Sequence, residues 1–150
     1  MLVYRLPREP STPRITFWRK LRRLGVAQLM DGVVALPAGR DTREQLEWLA
    51  EEAVQAGGEA TIWISEPATA AEGRQLAQAM TERVEAEYRA ITEAAQAAQS
   101  SRLVERRRTL ARLRRELRRV ASRQYFPTRE ADAARGAVDA LAKVTTEVAA

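Results

Sequence analysis

Residues 26–37, VAQLMDGVVALP, decide how the first half of the chain is read. Two short β-compatible runs, 26–30 and 33–36, flank Asp31-Gly32, a residue pair that favours a tight hairpin turn. Upstream, residues 2–6 (LVYRL) alternate as a short strand, and Pro7, Pro10 and Pro13 punctuate its exit. Thr12 is placed to cap a helix whose first turn suits Pro13. That helix runs to about Leu24, where Gly25 can take the left-handed stop. Its apolar face is Phe17, Trp18, Leu21 and Leu24, with Ile15 beside it. Downstream, Asp41 and Glu44 have the spacing of a capping box. The helix they open carries Leu46, Leu49, Ala50, Ala53 and Val54 and stops at Gly57-Gly58. Residues 60–65 (ATIWIS) make a fourth strand, closed by Pro67.

The order is β-α-β-β-α-β, so residues 1–67 are expected to form a ferredoxin-like α+β unit. Helices cover only one face of such a sheet. Tyr4, Thr61 and Trp63 are expected on the other. A bare apolar face of that size is uncommon. It is expected to meet the C-terminal helices or a second copy, the latter making a homodimer.

Residues 68–150 carry no strand signal and form a helical extension. Leu76, Met80, Val84, Tyr88, Ile91 and Ala95 follow helical spacing to about Gln99. Ser100-Ser101 breaks the run. Leu103, Leu110, Leu113, Leu117 and Val120 then mark one stripe of a second helix. Thr128 caps a third, with Ala131, Ala134, Val138, Leu141, Val144 and Val148 inward. Short connections between amphipathic helices imply an antiparallel helical hairpin or three-helix bundle. Tyr125-Phe126 reads as a hydrophobic staple in the last turn between helices.

Composition narrows the chemistry. The 150 residues include neither Cys nor His. Disulfides, thiolate chemistry and soft-metal sites are thereby removed, together with the commonest general base. No carboxylates pair convincingly, so no enzyme, cofactor or metal is expected. No apolar run approaches a membrane span and the N-terminus lacks a signal-peptide layout, so the chain is read as cytoplasmic.

Net charge is +5, but it is distributed in blocks: +6 over residues 1–30, −6 over 31–67 and +8 over 102–123. Ten of the 22 residues in that last block are arginine, opposed only by Glu105 and Glu116. Guanidinium forks match phosphate oxygens and stay charged at any cellular pH. The candidate nucleic-acid contacts are therefore Arg106, Arg107, Arg108, Arg112, Arg114, Arg115, Arg118, Arg119 and Arg123, with Arg14, Arg19, Lys20, Arg22 and Arg23 on the first helix. The competing reading is a solvated face paired to Glu72, Glu82, Glu85, Glu87 and Glu93, five acids set against ten arginines. For the first helix, the acids between Glu44 and Glu52 offer the same relief. Trp18, Trp48 and Trp63 are read as core or interface residues. The implied partner is double-stranded DNA, or else an acidic protein such as a separately encoded sensing domain.

One resemblance spans nearly the whole chain. LPREPSTPRITFWRKLRRLGVAQLMDGVVALP (residues 6–37) resembles the opening of the chromate-resistance regulator family ChrB. YFPTREADAARGAVDAL (residues 125–141) resembles the turn before the last helix of that family's N-terminal domain. The resemblance implies a DNA-binding transcription regulator of a chromate-efflux operon. Members of the family carry a second, C-terminal domain that this sequence does not include, so chromate sensing is not expected of it. The first half is also similar to small CRISPR-associated nucleases and to the core of phenylacetate repressors. The nucleases need an Asp at the end of the first strand; Arg5-Leu6-Pro7 stand there. The repressors place a winged helix ahead of the core, and none is seen here.

Overall fold

A computed structural model describes residues 1–147; Val148, expected on the inner face of the last helix, lies outside them. The elements are β1 (Leu2–Arg5), α1 (Ser11–Leu24), β2 (Ala27–Met30), β3 (Val33–Ala35), α2 (Arg40–Gln55), β4 (Glu59–Ile62), α3 (Ala70–Ala98), α4 (Leu103–Ala121) and α5 (Arg129–Glu147). The fold is α+β. It divides into two units, Met1–Met80 and Thr81–Ala150.

In the first unit four strands form one sheet in the order β2-β3-β1-β4, with every neighbouring pair antiparallel. β1 therefore runs parallel to β2, and β3 to β4, each pair linked by a helix. The hairpin closes at Gly32, whose φ of 75° is reached cheaply only without a Cβ. The Tyr4 N–H donates to the Gly32 carbonyl at 2.8 Å, fastening the turn to β1. An irregularity between Gln28 and Met30 shifts the register of β2. Leu2, Phe17, Leu21, Val26, Val34, Leu46, Leu49 and Ala53 form the core.

The helix ends differ from the sequence expectation at two starts. α1 begins at Ser11 behind Pro10 with no side-chain cap, so Thr12 sits inside the first turn. α2 begins behind Gly39, and Asp41 lies in its first turn, where a negative charge suits the helix dipole. The Asp41/Glu44 box does not form. Thr42 holds the entry instead, its hydroxyl donating to Pro37 O at 2.7 Å. Gly25 ends α1 as expected, at φ 70° with its N–H on the Arg22 and Leu21 carbonyls.

Tyr4 is a correction. Its ring packs on Phe17 with centroids 4.8 Å apart, on the helix-covered face. Strand alternation requires this, because Leu2 two residues earlier is in the core. Thr61 and Trp63 do lie away from that core, the Trp63 indole N–H donating to the Thr61 hydroxyl at 3.0 Å. None of the three tryptophans is a core residue; Trp48 is 72% exposed.

α3 opens with a reciprocal cap. Glu72 N–H donates to the Thr69 hydroxyl at 3.2 Å, and Thr69 N–H donates to the Glu72 carboxylate at 2.9 Å. In the second unit Val84, Tyr88, Ile91, Ala95, Leu110, Leu113, Val120, Ala134, Val138 and Leu141 belong to one core. Contacts joining Glu87 to Arg123 and Arg106 to Val144 make the later part of α3 antiparallel to α4, and α4 antiparallel to α5. Thr128 caps α5 through Ala131 N–H at 3.2 Å. Val144 is only half-buried, and Thr145 takes the inner position beside it. Among the described residues no helix is long and apolar enough to cross a membrane.

Candidate nucleic-acid interface

An α-helix advances about 100° per residue, so α4 sorts its side chains by spacing alone. Leu110, Leu113 and Val120 are buried and Leu117 packs beside them. The opposite half carries the arginines in two rows. Arg107, Arg114 and Arg118 lie along one line; Arg108, Arg112, Arg115 and Arg119 lie along another, roughly 100° further round. All seven are exposed.

Three of the ten arginines between 102 and 123 are engaged within the unit. Arg106 is buried at 8% exposure and donates to Ser101 O at 2.9 Å and Val144 O at 3.1 Å. It faces the bundle, not solvent, and leaves the candidate set. Its Nε is the buried side-chain polar atom without a partner among the described residues. Arg123 is largely covered and pairs with the Glu87 carboxylate. Arg112 pairs with Glu116 at 2.8 Å, one turn along α4. The other seven, Arg102, Arg107, Arg108, Arg114, Arg115, Arg118 and Arg119, have no carboxylate within ion-pair reach among the described residues. Arg102, absent from the sequence-derived set, sits exposed at the N-cap of α4.

Two of the five acids proposed to neutralise this helix are engaged elsewhere. Glu72 caps α3, and Glu85 lies 3.9 Å from Arg89 on its own helix. Glu87 reaches across to the residues just after α4, its carboxylate pairing with the Arg123 guanidinium. Like charges three and four residues apart each destabilise a helix by a few tenths of a kcal/mol. Arg108, Arg112, Arg115 and Arg119 repeat that spacing, so α4 stands to gain from an anion laid along it.

In the other unit the basic residues of α1 are less gathered. Lys20 pairs with Glu52 at 2.6 Å, and Arg22 stacks on Trp18 at 4.7 Å from the ring centroid. Arg14, Arg19 and Arg23 are exposed, without ion pairs among the described residues, and spread around half the circumference of the helix.

Tyr88 fixes the end of α4. It is buried, and its hydroxyl donates to Gln124 Oε1 at 2.7 Å, while Gln124 Nε2 donates to Phe126 O at 3.0 Å. Burial, above all, pushes the Tyr88 pKa up from its ordinary value. Tyr125, half-buried and next to Gln124 in sequence, is raised by burial as well. Among the described residues no three acidic, His or Cys side chains gather to hold a metal.

Residues 14–150 match the family model described as Protein ChrB, N-terminal. The chain belongs to the ChrB N-terminal family. A curated Protein ChrB from Cupriavidus metallidurans is 35% identical over 91 residues, covering 61% of this chain and 24% of that protein. The chain thus spans about a quarter of the length of that ChrB relative. No solved structure matches it. The ChrB match begins at Arg14 on α1 and runs through α4, so it includes every candidate arginine.

Proposed function

We propose that this chain is the DNA-binding part of a transcription regulator of the chromate-resistance type, holding duplex phosphates with the exposed arginines of α4 and those of α1. The observation that carries this reading is the surplus on α4: six exposed helix arginines without carboxylate partners among the described residues, standing in rows on one half of the helix. Phosphate contacts position a protein on DNA without reading its sequence. Family membership supplies the regulatory context. In the same reading the four-stranded sheet with its two crossover helices is a ferredoxin-like unit, and the chain acts in the cytoplasm. The sheet face bearing Thr61 and Trp63 pairs with a second copy. Sedimentation showing only monomer at high concentration removes the dimer without touching the rest.

The test is a titration of labelled duplex at several salt concentrations. Six phosphate contacts give a plot of log affinity against log salt with a slope of about −5. A flat, weak response overturns DNA binding and favours an acidic protein partner.

A further inference from the structure

The arrangement of α4 says more than that it is basic. Between its two arginine rows runs a strip without charge, formed by Val104, Ala111 and Ser122, all exposed. Val104 is 71% exposed, so its methyls stand free at the surface of α4. Helical geometry puts this strip midway between the rows, about 50° from each. From Arg107 to Arg119 the rows extend for roughly 18 Å along the axis.

We infer that α4 lies lengthwise in the major groove of B-form DNA, with Arg107, Arg114 and Arg118 on the phosphates of one wall, Arg108, Arg115 and Arg119 on those of the other, and the Val104/Ala111 strip facing the base edges. This inference rests on the DNA-binding reading and specifies its mode. A groove presents two lines of negative charge separated by a floor of base edges, and its width of about 12 Å admits one helix. The two rows and the neutral strip have the same plan. An acidic helix presents one charged stripe and would satisfy one row only. A helix laid across the outside of a duplex meets one backbone at a time and leaves the strip idle. The small Ala111 at the centre allows close approach, and its methyl and those of Val104 suit the methyl group of thymine.

Three variants of the full chain separate these modes: Arg107→Gln with Arg114→Gln and Arg118→Gln; Arg108→Gln with Arg115→Gln and Arg119→Gln; and Ala111→Leu. Glutamine and leucine are good helix formers at these exposed positions, so thermal unfolding should stay close to that of the parent. In the groove mode, each triple variant makes the salt slope shallower by about 2.7. Ala111→Leu leaves the slope unchanged but weakens duplex binding roughly tenfold, because added bulk lifts the strip from the groove floor. If only one triple variant changes the slope, or Ala111→Leu binds like the parent, the groove mode is wrong although DNA binding stands. If the parent itself shows no steep salt dependence, the DNA-binding reading fails first. Double-stranded RNA is the control, since its narrow, deep major groove does not admit a helix. Equal affinity for an RNA duplex of the same length also overturns the groove mode.

Discussion

The Arg106 guanidinium donates to the Val144 carbonyl oxygen at 3.1 Å, tying the first turn of α4 to the last described turn of α5. Its second nitrogen donates to Ser101 O, in the link that follows α3. One cation thus joins the last described turn of α5 to the link that follows α3. Arg106→Ala leaves these acceptors without their donor and removes a packed side-chain stem. It should cost roughly 2–4 kcal/mol in chemical denaturation. Arg107→Gln, one residue on and exposed, should cost less than about 0.5 kcal/mol. Equal effects for the two would show that the Arg106 contacts contribute nothing to stability.

The different fate of these adjacent arginines was legible in the sequence, in a gap. Leu103, Leu110, Leu113, Leu117 and Val120 follow steps of seven, three, four and three, and the missing member of that stripe is residue 106. A polar residue on an apolar stripe announces burial with partners, but not which partners; the Ser101 and Val144 carbonyls come from tertiary contacts. The same limit explains Tyr4. Alternation with Leu2 places the two on one face, but not which face the helices cover. At α2 the pattern was misread, because Thr42 competes with Asp41 for the turn and reaches back to Pro37 O. At α3 the Thr69-x-x-Glu72 signature was present and is satisfied by the cap. The hairpin at Asp31-Gly32 and the left-handed Gly25 were readable because each depends on local backbone sterics alone.

Tyr88 makes stability sensitive to alkali. Its hydroxyl is held protonated by burial and donates to Gln124. Below about pH 10 folded and unfolded chains both keep this proton, and the group adds no pH dependence. Above it the unfolded chain releases the proton first, so stability falls as pH rises toward the higher folded pKa. Tyr88→Phe should flatten part of that fall while costing about 1 kcal/mol at neutral pH through the lost hydrogen bond. Denaturation midpoints of both proteins at neutral and alkaline pH decide the point; parallel pH profiles would exclude Tyr88 as a contributor.

Gly32 is held twice, by its φ of 75° and by the Tyr4 carbonyl, with which an added Cβ would collide. Gly32→Ala should therefore destabilise the first unit by roughly 1–3 kcal/mol, and more than Gly136→Ala, whose Cβ meets open space. Gly136→Ala, in the interior of α5, should stabilise by about 0.5–1 kcal/mol. Thermal unfolding of the two variants gives opposite signs if the backbone argument holds, and a shared sign rejects it.

Glu116 is the only carboxylate within α4 found in an ion pair among the described residues, and it holds Arg112 at 2.8 Å. Arg112 belongs to the row of Arg108, Arg115 and Arg119, so this pair withdraws one guanidinium from an otherwise free line. Glu116→Gln should release it. The stability cost is small, because exposed pairs of this spacing contribute about 0.3–0.5 kcal/mol. If that row lies against phosphates, the freed arginine adds a contact and the salt slope for duplex binding steepens by about 0.9. The substitution thus predicts a gain in affinity at low salt from the loss of a native contact, an outcome that general damage to the fold does not produce. An unchanged slope would place Arg112 away from the duplex and confine the contacts of that row to Arg108, Arg115 and Arg119.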